Sequence, residues 1–163
     1  MMALCKIGAV AIPATHMLTA SDIVYRNQRA SVKAIICVND EYVTKQVREA
    51  MSESPTVEVL VAVNSLAQKG CPVAEGFHDW FAEWENAPTF VRPENVNVNE
   101  DTMLMYFTSG TSGEPKMVAH DHLYALGHLV TGVFWHNLDE DSIHLTVADT
   151  GWGKAVWGKL YGQ

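Results

Sequence analysis

The sequence has few cysteines, and this scarcity excludes two classes of protein. Cys5, Cys37 and Cys71 are far apart and odd in number, and neither a C-x-x-C pair nor an H-E-x-x-H motif occurs. A disulfide framework and a structural zinc site are therefore not predicted. Unpaired thiols are typical of a reducing compartment, so we predict a cytoplasmic protein.

Basic residues and long apolar runs are also scarce. The chain has 11 Lys and Arg residues against 19 Asp and Glu residues, which gives a formal net charge of −8. Nucleic-acid backbones require clustered basic side chains, so nucleic acid is not a predicted partner. No run of about eighteen apolar residues occurs, so no transmembrane segment is predicted. With 163 residues, 48% of them hydrophobic, the chain is long enough to form a globular domain with a core.

The first residues of the chain allow two interpretations. A lysine, a short apolar stretch from Ile7 to Ile12 and then small residues follow the order of a signal peptide, but Pro13 interrupts them. The alternative is a helix end, Ala3 to Ile7, stopped by Gly8 and followed by a buried strand, Ala9–Ile12. The apolar stretch is short for a signal peptide, which favours the second interpretation.

Helical and strand patterns alternate along the rest of the chain. Periods near 3.6 residues predict helices over residues 19–30, 40–51, 76–87, 121–136 and 151–163. Short β-branched apolar runs predict strands over residues 31–39, 56–64, 102–108, 117–119 and 142–149. The segment 88–101, with two prolines and three asparagines, predicts a long loop. The alternation predicts an α/β fold with a largely parallel sheet flanked by helices.

Several aromatic and histidine side chains outside the stretch 108–116 are interpreted as packing or surface residues. Aromatic residues at helical spacing usually belong to a core, and this applies to Phe77, Trp80, Phe81 and Trp84. Histidines cluster in the second half of the sequence without the spacing of metal ligands: His120, His122, His128, His136 and His144. No metal site is predicted.

The stretch from Thr108 to Lys116 has a composition suited to binding phosphate. It holds four hydroxyl side chains, two glycines, a proline and a lysine between two apolar runs. Successive backbone N–H groups in such a loop can form an anion-binding concavity, and glycine permits close approach. An ordinary surface turn is the alternative. The Walker A motif is not matched, because Glu114 and Pro115 separate Gly113 from Lys116.

The order of residues in "YFTSGTSGEPKMVAH", residues 106–120, closely resembles the phosphate-binding signature of the adenylate-forming enzymes. This superfamily includes acyl-CoA synthetases, adenylation domains of peptide synthetases and luciferases. Two further segments resemble the same enzymes: "LCKIGAVAIPAT", residues 4–15, and "DTGWGKAVWGKLYGQ", residues 149–163. The most similar subgroup is the medium-chain acyl-CoA synthetases.

The resemblance implies a two-step reaction that uses ATP, Mg²⁺ and coenzyme A to convert a fatty or aromatic acid into its CoA thioester. It assigns the β- and γ-phosphates of ATP to Thr108, Ser109, Gly110, Thr111, Ser112, Gly113 and Lys116. Trp152 would line the acyl pocket. Gly153 would form the next part of its wall, leaving room for an acyl chain longer than acetate. Glu114 occupies a variable position of the signature.

The resemblance also implies that residues 1–163 are an incomplete part of the large N-terminal domain. The family's adenine-binding Y-G-x-T-E-type segment, its ribose-binding aspartate and its catalytic lysine have no counterpart here, so no catalytic residue is assigned. The isolated chain is expected to show no turnover. The alternatives are a truncated, non-catalytic nucleotide-binding module and an adenylation domain serving a carrier protein, which the segment 149–157 disfavours.

Overall fold

The chain forms two compact units in the computed structural model, which describes residues 1–94, 96–109 and 113–162. One unit, His16–Phe90, contains a parallel sheet and is called the sheet unit. The other combines Met1–Thr15 with Val91–Gln163 and contains an antiparallel hairpin; it is called the hairpin unit. Each unit has its own hydrophobic core, and each is described separately.

The sheet unit confirms the predicted α/β fold. Its elements are α2 (Ala20–Ala30), β1 (Ala34–Val38), α3 (Glu41–Ala50), β2 (Val59–Val63), β3 (His78–Asp79) and α4 (Trp80–Asn86). The strands lie in the order β1-β2-β3, and both pairs are parallel. Parallel neighbours need a crossover connection, and α3 supplies it between β1 and β2.

Side chains just before α2 and α3 explain where these helices begin. Thr19 and Asp22 form a capping box: the Thr19 hydroxyl accepts from the Asp22 amide, and the Asp22 carboxylate accepts from the Thr19 amide at 3.0 Å. The Thr19 hydroxyl also donates to the Asp22 carboxylate at 2.6 Å, and this bond, followed by the one from the Thr19 amide, lowers the pKa of Asp22. Asp40 caps α3 by accepting from the amides of Tyr42 at 2.9 Å and Val43 at 3.2 Å.

Loss of the Asp40 cap is expected to destabilise the sheet unit measurably. Asp40→Ala should lower the free energy of unfolding by about 1 kcal/mol, because two amides of the first helical turn lose their acceptor. Asp40→Asn retains an acceptor oxygen and should stay close to the parent. Urea unfolding followed by far-ultraviolet circular dichroism measures both variants. Equal destabilisation by alanine and asparagine would contradict the capping role.

The core of the sheet unit comes from helix faces with the predicted 3.6-residue period. Ile23 of α2 and Val47 and Ala50 of α3 are buried together. Among the aromatics predicted to pack, Phe81 is buried, whereas Trp84 is 65% exposed. The core interpretation therefore holds for Phe81 and is wrong for Trp84, which lies on the outer face of the short helix α4.

The hairpin unit contains α1 (Met2–Lys6), β4 (Thr102–Thr108), β5 (Lys116–Asp121), α5 (Tyr124–Thr131) and α6 (Gly153–Ala155). Strands β4 and β5 are antiparallel neighbours, so this pair departs from the predicted parallel arrangement. The helix α5 continues as a π-helix over Gly132–His136, and α6 continues as one over Val156–Tyr161.

The predicted buried strand Ala9–Ile12 is reduced to one bridge. Ala11 pairs with Leu104 of β4 in parallel orientation, through hydrogen bonds with the backbone of Met103 at 3.0 Å and Met105 at 2.9 Å. Ala11, Met103 and Leu104 form the core of the unit with Tyr106 and Val156. From Leu104 to Phe107, buried and half-buried positions alternate with the two-residue period of a strand, whereas Met103 is buried next to Leu104.

The predicted strand over residues 142–149 does not form within the described part of the chain. The backbone carries no strand pairing there, and Ile143, Leu145 and Val147 are 100%, 78% and 83% exposed. A strand is defined by hydrogen bonds to a neighbour, and an alternating apolar pattern cannot supply that neighbour by itself. The prediction was therefore wrong for this structure, although the alternation of exposed side chains is present.

Candidate functional site

The hairpin of β4 and β5 sets the ends of the signature loop side by side. Thr108, the last residue of β4, is the register partner of Lys116, the first residue of β5. The Thr108 hydroxyl donates to the Lys116 carbonyl at 3.5 Å. The strands on either side of the loop were predicted from their apolar runs, and both are confirmed. The hairpin therefore presents a polar loop with a hydroxyl at one end and a cation at the other.

Gly113 has a backbone conformation that explains why glycine stands at this position. Its φ is +110°, a value that residues with a Cβ rarely adopt. A Cβ built there would meet nothing within 4 Å, so the requirement comes from the backbone and not from packing. Gly110, Thr111 and Ser112, three of the predicted phosphate-binding residues, lie outside the described residues.

The described residues of the loop face solvent, as anion binding requires. Thr108, Ser109, Gly113 and Lys116 are all exposed. A loop that exposes backbone N–H groups, hydroxyls and an ammonium group can approach phosphate oxygens without first being desolvated by protein. The arrangement is therefore chemically suited to hold a polyphosphate.

A second polar feature is the turn that precedes α6. The Asp149 carboxylate accepts from the Gly151 amide at 2.7 Å, and the Trp152 amide donates to the Asp149 carbonyl at 3.0 Å. Trp152 has extended backbone angles and is the N-cap residue of α6. Asp149 therefore fixes the turn that presents Trp152, a residue predicted to line a substrate pocket.

An open cavity lies beside this turn. Its volume is about 610 Å³, and it is lined by Thr146, Val147, Ala148, Asp149, Trp152 and Lys154. The Trp152 side chain is 63% exposed, so its indole is available for contact. Lys154, which sequence reasoning left without a role, supplies a cation at the edge of the cavity. The cavity combines apolar surface with one acidic and one basic group.

Gly153 faces a residue that sequence reasoning did not include in the site. A Cβ at Gly153 would lie 3.3 Å from Cζ of the Tyr106 ring, so Tyr106 occupies the space beside this glycine. Burial and a hydrogen bond with Tyr124 raise the pKa of Tyr106 far above its ordinary value, so its hydroxyl stays neutral. No local signal could have revealed this contact, because the two residues are far apart in sequence.

Strand β4 links the two parts of the site. Tyr106 and Thr108 are two residues apart on the strand and therefore lie on the same face. Tyr106 contacts the start of α6, whereas Thr108 begins the phosphate-type loop. One face of β4 thus carries Thr108, at the start of the predicted phosphate loop, and Tyr106, which lies beside Gly153 of the predicted acyl pocket.

The histidines of the hairpin unit pack among aromatic rings. His120 lies 4.5 Å from the Tyr124 ring, and His128 and His136 stack on Trp157 at 5.2 Å and 6.0 Å between centroids. Burial, followed by the proximity of His120, lowers the pKa of His128 and favours its neutral form. Their structural interpretation fits this packing. Among residues 1–94, 96–109 and 113–162, no group of three His, Cys, Asp or Glu side chains could hold a metal ion.

Comparison with known proteins identifies the family. The AMP-binding enzyme family matches residues 1–162, so the chain belongs to this family. Acyl-coenzyme A synthetase ACSM5, mitochondrial, of Mus musculus is 34% identical over 96% of this chain and 26% of its own length. Acyl-coenzyme A synthetase ACSM3, mitochondrial, of Homo sapiens is 30% identical over 98% of this chain and 26% of its own length. The chain therefore spans about a quarter of the curated relatives that it matches.

Solved structures agree with this fold. An acyl-CoA synthetase of Brucella canis superposes with a TM-score of 0.75 at 22% identity, covering 98% of this chain and 27% of that one. The anthranilate CoA ligase AuaEII, solved in complex with anthranoyl-AMP, gives a TM-score of 0.67 at 22% identity over 79% of this chain and 23% of its own. The resemblance to adenylate-forming enzymes is thereby confirmed for family and fold. Within the described residues, no helix is both long and apolar enough to cross a membrane.

Proposed function

We propose that the whole protein is a carboxylate–CoA ligase, and that this chain is the part of its N-terminal domain that carries the phosphate loop. The observation that carries the proposal is the β4–β5 hairpin, which sets Thr108 and Lys116 at the two ends of a loop with the adenylate-forming signature. Membership of the AMP-binding family and the names of the relatives support it. Membership of the family does not specify the acid or the thiol acceptor, and the proposal adds both.

The proposed reaction has two steps. A carboxylate oxygen attacks the α-phosphorus of ATP, the bond to pyrophosphate breaks, and an acyl-adenylate forms. The sulfur of coenzyme A, having lost its proton, then attacks the acyl carbonyl carbon, and AMP leaves with the electron pair of the broken bond. The first step is needed because a free carboxylate is a poor electrophile, whereas its mixed anhydride with AMP has a good leaving group.

The loop would act on the charge of the leaving pyrophosphate. We assign contacts with the β- and γ-phosphates to Thr108, Ser109, Gly110, Thr111, Ser112, Gly113 and Lys116. Donors fixed before the reaction stabilise the charge that grows on the leaving oxygen without reorganising. The hairpin supports this role because β4 and β5 hold both ends of the loop. The glycine at φ +110° lets the loop adopt its required shape.

The carboxylic acid would bind beside the turn before α6. We assign the wall of the acyl pocket to Trp152, in the cavity of about 610 Å³, and to Gly153. Tyr106 joins the assignment because its ring fills the space beside Gly153. A cavity with apolar surface, one acidic group and one basic group suits a medium-chain or aromatic acid better than a highly charged substrate.

We assign Mg²⁺ no protein ligand among the described residues, because such an ion binds largely through substrate phosphates and water. Such an ion, when bound to the phosphates of ATP, would neutralise part of their charge. The residues of this chain are assigned the remaining task of holding and orienting those phosphates.

Carboxylate-dependent exchange of labelled pyrophosphate into ATP tests the first step. We expect the full-length protein to catalyse this exchange with an acid from a panel running from acetate to dodecanoate and including benzoate. The rate with the best acid should exceed that with acetate, because the apolar surface of the cavity favours an acid with a larger apolar group. Exchange that is independent of any acid, or absent with every acid, would overturn the proposal.

The second step separates the ligase from its alternatives. Formation of the CoA thioester, detected by mass spectrometry, should accompany exchange. Exchange without thioester formation, but with acyl transfer to a phosphopantetheine carrier protein, would point to an adenylation domain instead. ATP binding without exchange would point to a non-catalytic nucleotide-binding module. Each result can be read from the same preparation.

A cytoplasmic location is also proposed, on the basis of the free thiols Cys5, Cys37 and Cys71. The mitochondrial matrix is the competing location, because several relatives carry the word mitochondrial in their names. Subcellular fractionation with an antibody against the chain distinguishes the two locations.

A further inference from the structure

The segment that ends at Thr15 contacts the turn that presents Trp152. The Thr15 hydroxyl donates to Oδ2 of Asp149 at 2.8 Å, across 134 residues of sequence. The other carboxylate oxygen, Oδ1, accepts from the Gly151 amide at 2.7 Å. One carboxylate therefore joins the N-terminal segment to the backbone of the turn. Hydrogen bonds to an ionised group are stronger than those between neutral groups.

The packing of Gly151 shows independently that the turn 149–152 lies in close contact with the N-terminal segment. A Cβ at this position would lie 2.2 Å from the carbonyl carbon of Ala14 and 2.2 Å from the amide nitrogen of Thr15. Both atoms belong to the backbone, which cannot move aside as the end of a flexible side chain can. The turn therefore lies directly against residues 14–15, and a glycine is needed for this approach.

The position of the turn determines where Trp152 lies. The Trp152 amide donates to the Asp149 carbonyl at 3.0 Å, and both residues line the cavity assigned to the carboxylic acid. A shift of Asp149 would therefore be transmitted to Trp152 through the backbone hydrogen bond between the two residues. A misplacement of about 1 Å in the groups that position a substrate can slow a reaction by about a hundredfold.

We propose that Thr15 is a positioning residue for the acyl pocket: by holding the Asp149 carboxylate, it fixes the turn that sets Trp152 against the carboxylic acid. The proposal rests on the proposed ligase function for its substrate, whereas the contact itself rests on the geometry of the hairpin unit. Thr15 acts through Asp149 and need not contact the substrate. Its role would be to favour acid binding without altering the phosphate loop.

The test compares Thr15→Val with Thr15→Ser in the full-length protein. Valine has nearly the shape of threonine but no hydroxyl, whereas serine retains the donor. In pyrophosphate exchange, Thr15→Val should raise KM for the best carboxylic acid about tenfold, the expected loss for one hydrogen bond to a charged group. KM for ATP should change by less than about twofold, because the loop is untouched. Thr15→Ser should restore the parental KM for the acid.

A purely structural role predicts a different pattern. Loss of folded protein would lower the apparent kcat and leave both KM values unchanged, and that result, or equal rises in the two KM values, would overturn the positioning role. Hydrogen–deuterium exchange of the peptide containing Gly151 gives a readout that needs no activity. Thr15→Val should accelerate exchange at the Gly151 amide about tenfold, and Thr15→Ser should not.

The two measurements also separate this inference from the proposed function. If the parent shows no acid-dependent exchange, the ligase proposal fails, and with it the substrate part of this inference. The hydrogen-exchange comparison then still decides whether Thr15 holds the turn. Unchanged protection of Gly151 in Thr15→Val would overturn the contact whatever the enzyme does. Faster exchange at Gly151 with an unchanged KM for the acid would overturn the role in the pocket.

Discussion

Lys116→Ala is expected to slow acid-dependent pyrophosphate exchange by roughly a hundredfold or more, the loss typical of removing one donor from a site of developing charge. The ammonium group is placed at the end of the loop by β5, directly across the hairpin from Thr108. Its side chain is exposed, so its removal takes little packing from the fold. The effect should therefore fall on the reaction and not on stability.

Three comparisons make this prediction specific. Lys116→Arg keeps the charge but changes its geometry, so it should recover part of the rate. Lys45→Ala removes another exposed lysine, whose nearest carboxylate in α3 is 3.9 Å away, and should leave exchange at the parental rate. The melting temperature of all three variants should lie close to that of the parent. A rate for Lys116→Ala within about twofold of the parent would show that the loop assignment is wrong.

The sequence was sufficient to predict the two strands β4 and β5 and the loop between them, because their signals are local. The apolar runs on either side of residues 109–115 specify strands by their composition, and glycine and proline specify the turn region between them. The caps at Thr19 and Asp40 were predictable for the same reason, since a capping side chain lies within three residues of the amides that it binds.

Contacts between distant segments carried no comparable signal. The ring of Tyr106 against Gly153 and the hydrogen bond from Thr15 to Asp149 each join residues that only the tertiary fold brings together. The segment 142–149, which forms no strand, is a second case in which the sequence alone did not predict the tertiary contacts. Its alternating pattern is that of a strand, but pairing depends on a neighbour that the pattern does not specify.

The antiparallel pair also shows how a local pattern can mislead about topology. The alternation of helices and strands along the chain favoured a parallel sheet. The sheet unit follows that rule, whereas β4 and β5 are joined by a loop of only seven residues, 109–115. A connection this short allows only an antiparallel hairpin, because a parallel pair needs about a dozen residues or more to cross over.

Leu104→Ala is expected to lower the free energy of unfolding by about 3 kcal/mol, because Leu104 is fully buried and its removal leaves a cavity that neighbours fill only in part. The residue lies in the centre of β4 and pairs with Ala11, so it supports the strand that carries Tyr106 and Thr108. In a chain of this size, such a loss corresponds to a fall of roughly 6–12 °C in melting temperature.

Two control variants distinguish destabilisation caused by the cavity from destabilisation caused by any substitution of a leucine. Leu104→Met conserves most of the volume and should cost less than about 1.5 kcal/mol. Leu66→Ala deletes the same atoms at a position that is 83% exposed and should change stability by less than about 0.5 kcal/mol. Differential scanning fluorimetry with urea titration measures all three. In the full-length protein, Leu104→Ala should also lower exchange activity, because Leu104 supports the loop through β4. A stable and fully active variant would show that β4 does not depend on this side chain.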